Sequence, residues 1–379
     1  MRGKTFVSIL SSLALLTSCA NFKNADSSKL TTQDVLNTYS EIVYSNYDDT
    51  LKAAEVMRVS IGNFINNPTQ QNLAIAKKAW KVGRESYGQT EAFRFYGGPI
   101  DDNDGPEGQL NAWPMDESYI TSLIQDPNFD INRENLSEAN ERGGEENIAT
   151  GWHAIEFLLW GSDSNPYGPG NRPVSDYISS AYADRNAEYL ITATDLLIDD
   201  LQSLKQEWKD NESNYRSVFE NGGDNSLRKI FISLGSLSKG ELSSERLNVA
   251  VFSQDQEDEH SCFSDNTHRD AVTNALGVRN VWMGEYNRPD GSQVKGPSIH
   301  DLVMAKSPDL AKETTSQINR SLILADQIQD PFDQEILASF DSAGPKRILA
   351  VVNSLEDQAD MLVSSASAIG IKNLTLVEP

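Results

Sequence analysis

The chain has 379 residues, 56 of them acidic and 32 basic, and a formal charge of −24 at pH 7. Such a surface repels nucleic acid and anionic lipid headgroups and attracts cations, and neither a P-loop nor a basic stretch interleaved with aromatics is present to suggest a nucleotide or nucleic-acid partner. There are two cysteines, Cys19 and Cys262, too few for a disulfide framework, so packing must hold the chain together.

Arg2 and Lys4 precede FVSILSSLALL at residues 6–16, the form of a secretory leader. As a helix this stretch reaches roughly 16 Å, well short of the ~30 Å hydrocarbon core of a bilayer. It ends in LTSC at residues 16–19, which resembles the lipobox of bacterial lipoproteins, where cleavage precedes a cysteine that carries diacylglycerol and an acylated amine. Lipidation on Cys19 would give durable anchoring, since each buried methylene contributes about 0.8 kcal/mol. The expectation is a leader at residues 1–18, a polar tether at 19–30, and a body exported to the bacterial cell envelope with a membrane partner through its lipid. Ala20, where an aspartate would signal inner-membrane retention, favours an outer-membrane lipoprotein. Cys262 is then the one cysteine of the body.

Apolar residues from Val35 through Tyr39, Ile42, Val43, Tyr47, Leu51, Ala54, Val56, Val59, Ile61 and Phe64 recur at three- and four-residue steps, predicting a long helix from 32 to about 66. Pro68 interrupts it. A second helix is expected from 69 to about 95, with Leu73, Ala76, Trp80, Val82 and Tyr87 on its apolar side, stopped by Gly97-Gly98-Pro99. Residues 100–145 read as loops with short anchors. Helical periodicity returns at 146–159 and again, after GSDSNPYGPGNRP, at 174–208. Further helices are expected at about 226–255, 268–284, 307–329 and 346–369. Strand-like alternation is scarce, so the fold class is all-α, with an N-terminal bundle at 31–211 and a C-terminal bundle at 212–379.

Within GWHAIE, His153 and Glu156 stand three residues apart and project toward a common region of a helix. A neutral imidazole and an ionised carboxylate can both ligate a cation; a buried His–Glu hydrogen bond uses the same spacing. Two residues are too few for a transition metal, so other segments would have to contribute.

EDEHSCFSDNTHRD at residues 257–270 gathers Glu257, Glu259, His260, Asp265, His268 and Asp270. A turn around Ser264-Asp265-Asn266 would let the groups on either side converge. His260 and His268 are the nitrogen candidates, and Glu257, Asp265 and Asp270 the oxygen candidates; Arg269 would clamp an anion or neutralise a carboxylate. A solvent-facing acidic loop also accounts for this composition. Cys262 reads as a buried thiol.

GWHAIE resembles the Gly-x-His-x-x-Glu motif of the imelysin-like family, and GWHAIEFLLWG, FRFYGGPID and DEHSCFSDNTHRD together are similar to its iron-regulated branch over roughly residues 30–370. The resemblance implies two related helical-bundle units packed around a central cleft, with His153 and Glu156 as the motif's functional residues near their interface. His260, Asp265 and His268 are added as metal ligands from composition and proximity. Iron is the cofactor this suggests, with zinc or another divalent metal second, and iron-uptake proteins are the partners. The leading function is capture of iron or an iron-containing ligand for uptake; the alternative is a metal-dependent imelysin-type peptidase, although no His-Glu-x-x-His is present.

Overall fold

The computed structural model describes residues 30–377; the leader, Cys19 and nearly all of the tether lie outside the described residues. Numbering helices of ten residues or more, the order is α1 (Thr32–Asn66), α2 (Gln70–Thr90), α3 (Gly151–Trp160), α4 (Ala183–Glu207), α5 (Asp224–Ser236), α6 (Thr267–Met283), α7 (Pro308–Ala325) and α8 (Ala343–Ala368). A π-helical segment, Leu237–Asn248, continues α5.

Local chemistry sets the ends. Thr31 caps α1 and shares a capping box with Asp34; Pro68 then breaks the chain and Thr69 caps α2 by accepting from the Asn72 amide. In the first half α1 packs on α2 and α4, and α3 lies against α2 and α4; in the second, α8 packs on α5, the π-helical segment and α7. Helix α6 contacts both α2 and α7, so it joins the two groups. The fold is predominantly α-helical, as the periodicity requires. Its core is rich in fully buried aromatics, among them Trp80, Trp152, Trp208, Trp282, Tyr47 and Tyr87, each contributing roughly 2–3 kcal/mol through burial. Among the described residues no helix is long and apolar enough to cross a membrane.

Several expected boundaries move. Helix α2 ends at Thr90 rather than near 95, where a 3-10 turn at Glu91–Phe93 takes over. The expected helix from 146 begins at Gly151, whose φ of +82° cannot continue a helix backwards. Residues 174–177 form a separate 3-10 turn before α4. The segment at 226–255 is not uniform: α-helical turns give way to the π-helical segment and then to Val249–Ser253. A short antiparallel hairpin, β1 (Glu285–Asn287) with β2 (Gln293–Lys295), pairs Tyr286 with Val294 and follows α6; its three-residue strands are too short to give an alternating pattern. Val56, Val59 and Val82, placed on apolar faces by spacing, are instead exposed at 62%, 65% and 54%.

Candidate metal centre between the helical groups

Helix α3 is buried on all sides, as expected of a helix whose sequence is apolar around its whole circumference. Its first residue lets it sit there: a Cβ on Gly151 would lie 2.5 Å from the Leu110 carbonyl oxygen. Trp80 Nε1 donates to the Trp152 carbonyl at 2.9 Å, which ties α3 to α2. One turn in, His153 Nδ1 lies 2.9 Å from Glu156 Oε2. The other Glu156 oxygen accepts from the Ser264 amide at 2.9 Å and the Ser264 hydroxyl at 2.6 Å, so the motif reaches the second half of the chain directly.

His260 arrives from that second half. Its ring meets His153 edge-to-face with centroids 4.7 Å apart, and Trp113 flanks it on another side at 5.7 Å. Trp113 Nε1 also donates to the Glu259 carbonyl at 2.8 Å, fixing the segment that carries His260. His260 Nδ1 lies 2.9 Å from Asp270 Oδ2, an oxygen that also receives the Arg84 guanidinium at 3.2 Å and the Ser261 hydroxyl. Both imidazoles are therefore held through Nδ1 by a carboxylate. The opposite nitrogen, Nε2, is buried on each ring and meets no hydrogen-bond partner among the described residues.

The surrounding charges are paired unevenly. Three guanidiniums, Arg84, Arg94 and Arg246, face five carboxyls, Glu91, Glu107, Glu156, Glu241 and Asp270. Burial would raise Glu91, but Arg94 and Arg246 outweigh it and hold it at about 2. In the same way arginines overcome burial to lower Glu241, and Arg84 with His260 takes Asp270 well below the usual carboxylate range. The surplus negative charge falls on Glu107 and Glu156: burial raises the former and pushes the latter up to about 8. Burial likewise drives His260 down to about 3 and His153 well below its ordinary value. Neutral His260, donating through Nδ1 to ionised Asp270, keeps an electron pair on Nε2. His153 does the same when Glu156 is ionised, a state favoured by a cation placed nearby.

The π-helical segment supplies part of this lining. Its wider turn brings Glu241 and Arg246, five residues apart, to 2.6 Å. Beside it opens a cavity of about 510 Å³ lined by Arg94, Glu107, Trp113, Glu141, Glu241 and His260, among others. Its rim is acidic and one of the two histidines forms its wall.

Of the residues singled out in the sequence, His153, Glu156 and His260 converge with Asp270. Asp265 stands elsewhere: its carboxylate groups with those of Asp163 and Asp333, with ligand oxygens all within 4.8 Å of one another. His268 is half-buried and its Nδ1 lies 3.1 Å from the Asp265 carbonyl oxygen, not at the His153–His260 pair. Arg269 pairs with Glu85 on α2 at 2.8 Å. Glu257 is pushed up to about 7 by burial and by neighbouring acids. Cys262 is of intermediate burial as a residue, and desolvation of its sulfur with nearby carboxylates raises the thiol well above the ordinary range, the direction of an unreactive thiol. Arg84, Glu91, Arg246 and Glu241 were not anticipated. A signal for two of them was present: Trp80, Arg84, Tyr87 and Glu91 follow four-three-four spacing, which sets two charges on an otherwise aromatic helical face.

Two helical groups joined by a shared helix and enclosing a His–carboxylate centre define an imelysin-like fold. A crystal structure from Parabacteroides distasonis, described as an iron-regulated protein A precursor, superposes with a TM-score of 0.72 at 19% identity, covering 89% of this chain and 95% of that one. An imelysin-like protein from Psychrobacter arcticum gives 0.65 at 13% identity, covering 90% and 96%. The chain belongs to the Imelysin family, whose model matches residues 43–362. It is also 24% identical over 335 residues to iron-regulated protein A of Synechococcus elongatus, covering 86% of this chain and 82% of the relative.

Proposed function

We propose that this protein captures iron, or an iron-containing ligand, at His153 and His260 and passes it to an uptake component of the bacterial envelope. The observation that carries this reading is the pair of buried imidazoles, 4.7 Å apart, each held at Nδ1 by a carboxylate and each with an unpartnered Nε2. A carboxylate on the far nitrogen of a ligating histidine orients the ring and raises its basicity, and a neutral imidazole nitrogen suits iron or zinc. Two nitrogens leave positions for water or for donors brought by the incoming ligand, and the acidic cavity beside His260 attracts cations toward them. One relative carries the name iron-regulated protein A, and a structure of the same fold is described as a precursor of such a protein, which makes iron the first metal to test. Lipidation of Cys19 would hold this capture site at a membrane, most simply the outer one.

Capture is favoured over peptide hydrolysis by the engagement of Glu156: one oxygen faces His153 and the other accepts twice from Ser264, leaving none to move a water proton. The test is titration of the chelator-stripped protein with ferrous iron and zinc, followed by calorimetry and elemental analysis. Saturable binding in the wild type that weakens in His153→Ala, His260→Ala and Glu156→Ala is expected. Negligible binding by folded wild type, or equal binding by all variants, overturns the reading. Metal-dependent peptide cleavage abolished by Glu156→Ala would establish the peptidase instead.

A further inference from the structure

The second group of buried acids is built differently. Asp163 lies in the loop after α3, Asp265 follows the 3-10 turn Cys262–Ser264, and Asp333 opens a four-residue helix, Asp333–Ile336. Their side chains come together from three separate stretches of chain, with carboxylate oxygens within 4.8 Å. All three are nine-tenths buried or more, and so is Glu259 at 0% exposure, whose carboxyl faces Asp333 and Asp265.

What points to a ligand is the state of the oxygens. Both oxygens of Asp265 and both of Glu259, with Oδ2 of Asp163 and Oδ2 of Asp333, are buried and lack a well-aligned hydrogen-bond donor among the described residues; apart from the Thr267 side chain beside Glu259 and backbone amides beside Asp163, the contacts close enough to shift these acids run from carboxyl to carboxyl, Glu259 with Asp333 and Asp163 with Asp265. Asp163 uses its other oxygen to accept from the Asn165 amide at 2.8 Å, which turns Oδ2 inward. Lys81 acts on Asp265 from a distance, but its ammonium is bonded to the Ser264 carbonyl at 2.9 Å. Among the described residues no guanidinium pairs with this group as Arg84, Arg94 and Arg246 do at the histidine centre. Buried carboxylates facing one another without donors are costly, and only shared protons or a bound cation relieve that cost.

We propose that Asp163, Asp265, Asp333 and Glu259 form a second metal site, separate from the two histidines, that takes a hard divalent cation of the calcium class. The donors are all carboxylate oxygen, the set preferred by calcium, magnesium and manganese over iron, copper or zinc. Three carboxylate oxygens within 4.8 Å of one another, with the Glu259 carboxyl beside Asp333 and Asp265, suit calcium, which takes six to eight oxygens at flexible angles and accepts bidentate carboxylates and water among them; magnesium demands near-octahedral geometry and keeps several of its waters. The site would also have a structural consequence. Asp265 is next to Ser264, the double donor to Glu156, and Glu259 is next to His260, so a cation here clamps the segment that completes the histidine centre from the second half of the chain.

The full chain, stripped with EGTA, is titrated with calcium chloride by calorimetry and melted with and without calcium. One saturable calcium per chain and a melting temperature raised by calcium are expected. Asp163→Asn and Asp333→Asn should each weaken binding by roughly tenfold or more, whereas the His153→Ala/His260→Ala double variant should bind calcium as the wild type does. This last arm separates the inference from the iron-capture reading, since either can fail alone. Folded wild type without saturable calcium binding overturns the proposal, as does binding indifferent to both asparagine variants. Should both asparagine variants melt above the wild type whether or not calcium is present, shared protons account for the cluster and the cation site is excluded.

Discussion

Glu91 and Asp265 are both almost fully buried acids, at 1% exposure each, yet their surroundings push them in opposite directions. Glu91 faces Arg94 and Arg246 and is held at about 2; Asp265 faces Asp333 and Asp163 and is pushed by burial and those acids up to about 8. The same side-chain chemistry is thus a source of stability in one region and a liability in the other, according to whether a guanidinium accompanies it into the core. Where the chain brings its own counter-charge, the cluster is a fixed strut. Where it does not, the cluster has an affinity left over for a cation.

The largest expected effect comes from removing a strut. Arg246→Ala removes one of the two guanidiniums shared by buried Glu91 and half-buried Glu241, leaving Arg94 alone to serve both, and loss of one member of such a network costs about 3–5 kcal/mol. Guanidinium denaturation measures this, and pairing Arg246→Met with Glu91→Gln should recover most of the loss. A pH titration makes the same point without mutation. The Glu91 carboxyl has a folded value near 2 against an unfolded one near 4.5, so its contribution, on the order of 3 kcal/mol, is fully present above about pH 4.5 and is lost as pH falls toward 2. The Glu91→Gln variant should show a flatter acid limb in its stability curve; an unchanged limb would mean that other carboxyls dominate.

At the histidine centre the next effect is on binding rather than folding. Glu156→Gln keeps an oxygen for the two Ser264 donors and turns its NH2 toward His153 Nδ1. That places the imidazole proton on Nε2, where a metal would bind. Metal affinity is expected to fall about 10- to 100-fold, with the melting temperature little changed. Equal loss of affinity and of stability would show that Glu156 acts only as a buried anchor.

Asp265→Asn tests the other side of the comparison. An acid whose folded value lies above its unfolded one binds more protons when folded, so its stability contribution falls as pH rises from about 4 through 8. In calcium-free buffer at pH 8 the amide should therefore stabilise the chain, by about 1–3 kcal/mol, and the gain should vanish at pH 4. Destabilisation at both pH values would assign Asp265 a purely structural role.

How much of this was legible follows from distance along the chain. His153, Glu156, His260 and Asp270 occupy two short segments whose composition stands out in an otherwise ordinary acidic helical sequence, and the Gly-x-His-x-x-Glu resemblance drew attention to the first of them. The helices were legible because their apolar period is repeated over many turns. Arg246 and Glu241 were not, since their meeting depends on a π-helical turn, and an assumed 3.6-residue period sets them on different faces. Asp163 and Asp333 were beyond reach for another reason: each is one aspartate among many in an irregular segment, and only the tertiary fold brings them to Asp265.

The smallest effect concerns His268, which sequence proximity placed with His260. Its ring lies against the Asp265 carbonyl at 3.1 Å, is partly open to solvent, and carries no contact to His153, Glu156 or His260. Burial lowers its pKa from the ordinary value, which favours the neutral ring beside the Asp265 carbonyl. His268→Ala should cost no more than about 1 kcal/mol for one partly exposed hydrogen bond, and iron titration should match wild type within error. A clear drop in iron binding with calcium binding intact would place His268 in the capture site, which then would have to extend along α6 past Asp270. A drop in calcium binding alone would instead show that the carbonyl of Asp265, steadied by this imidazole, sets the orientation of its carboxylate.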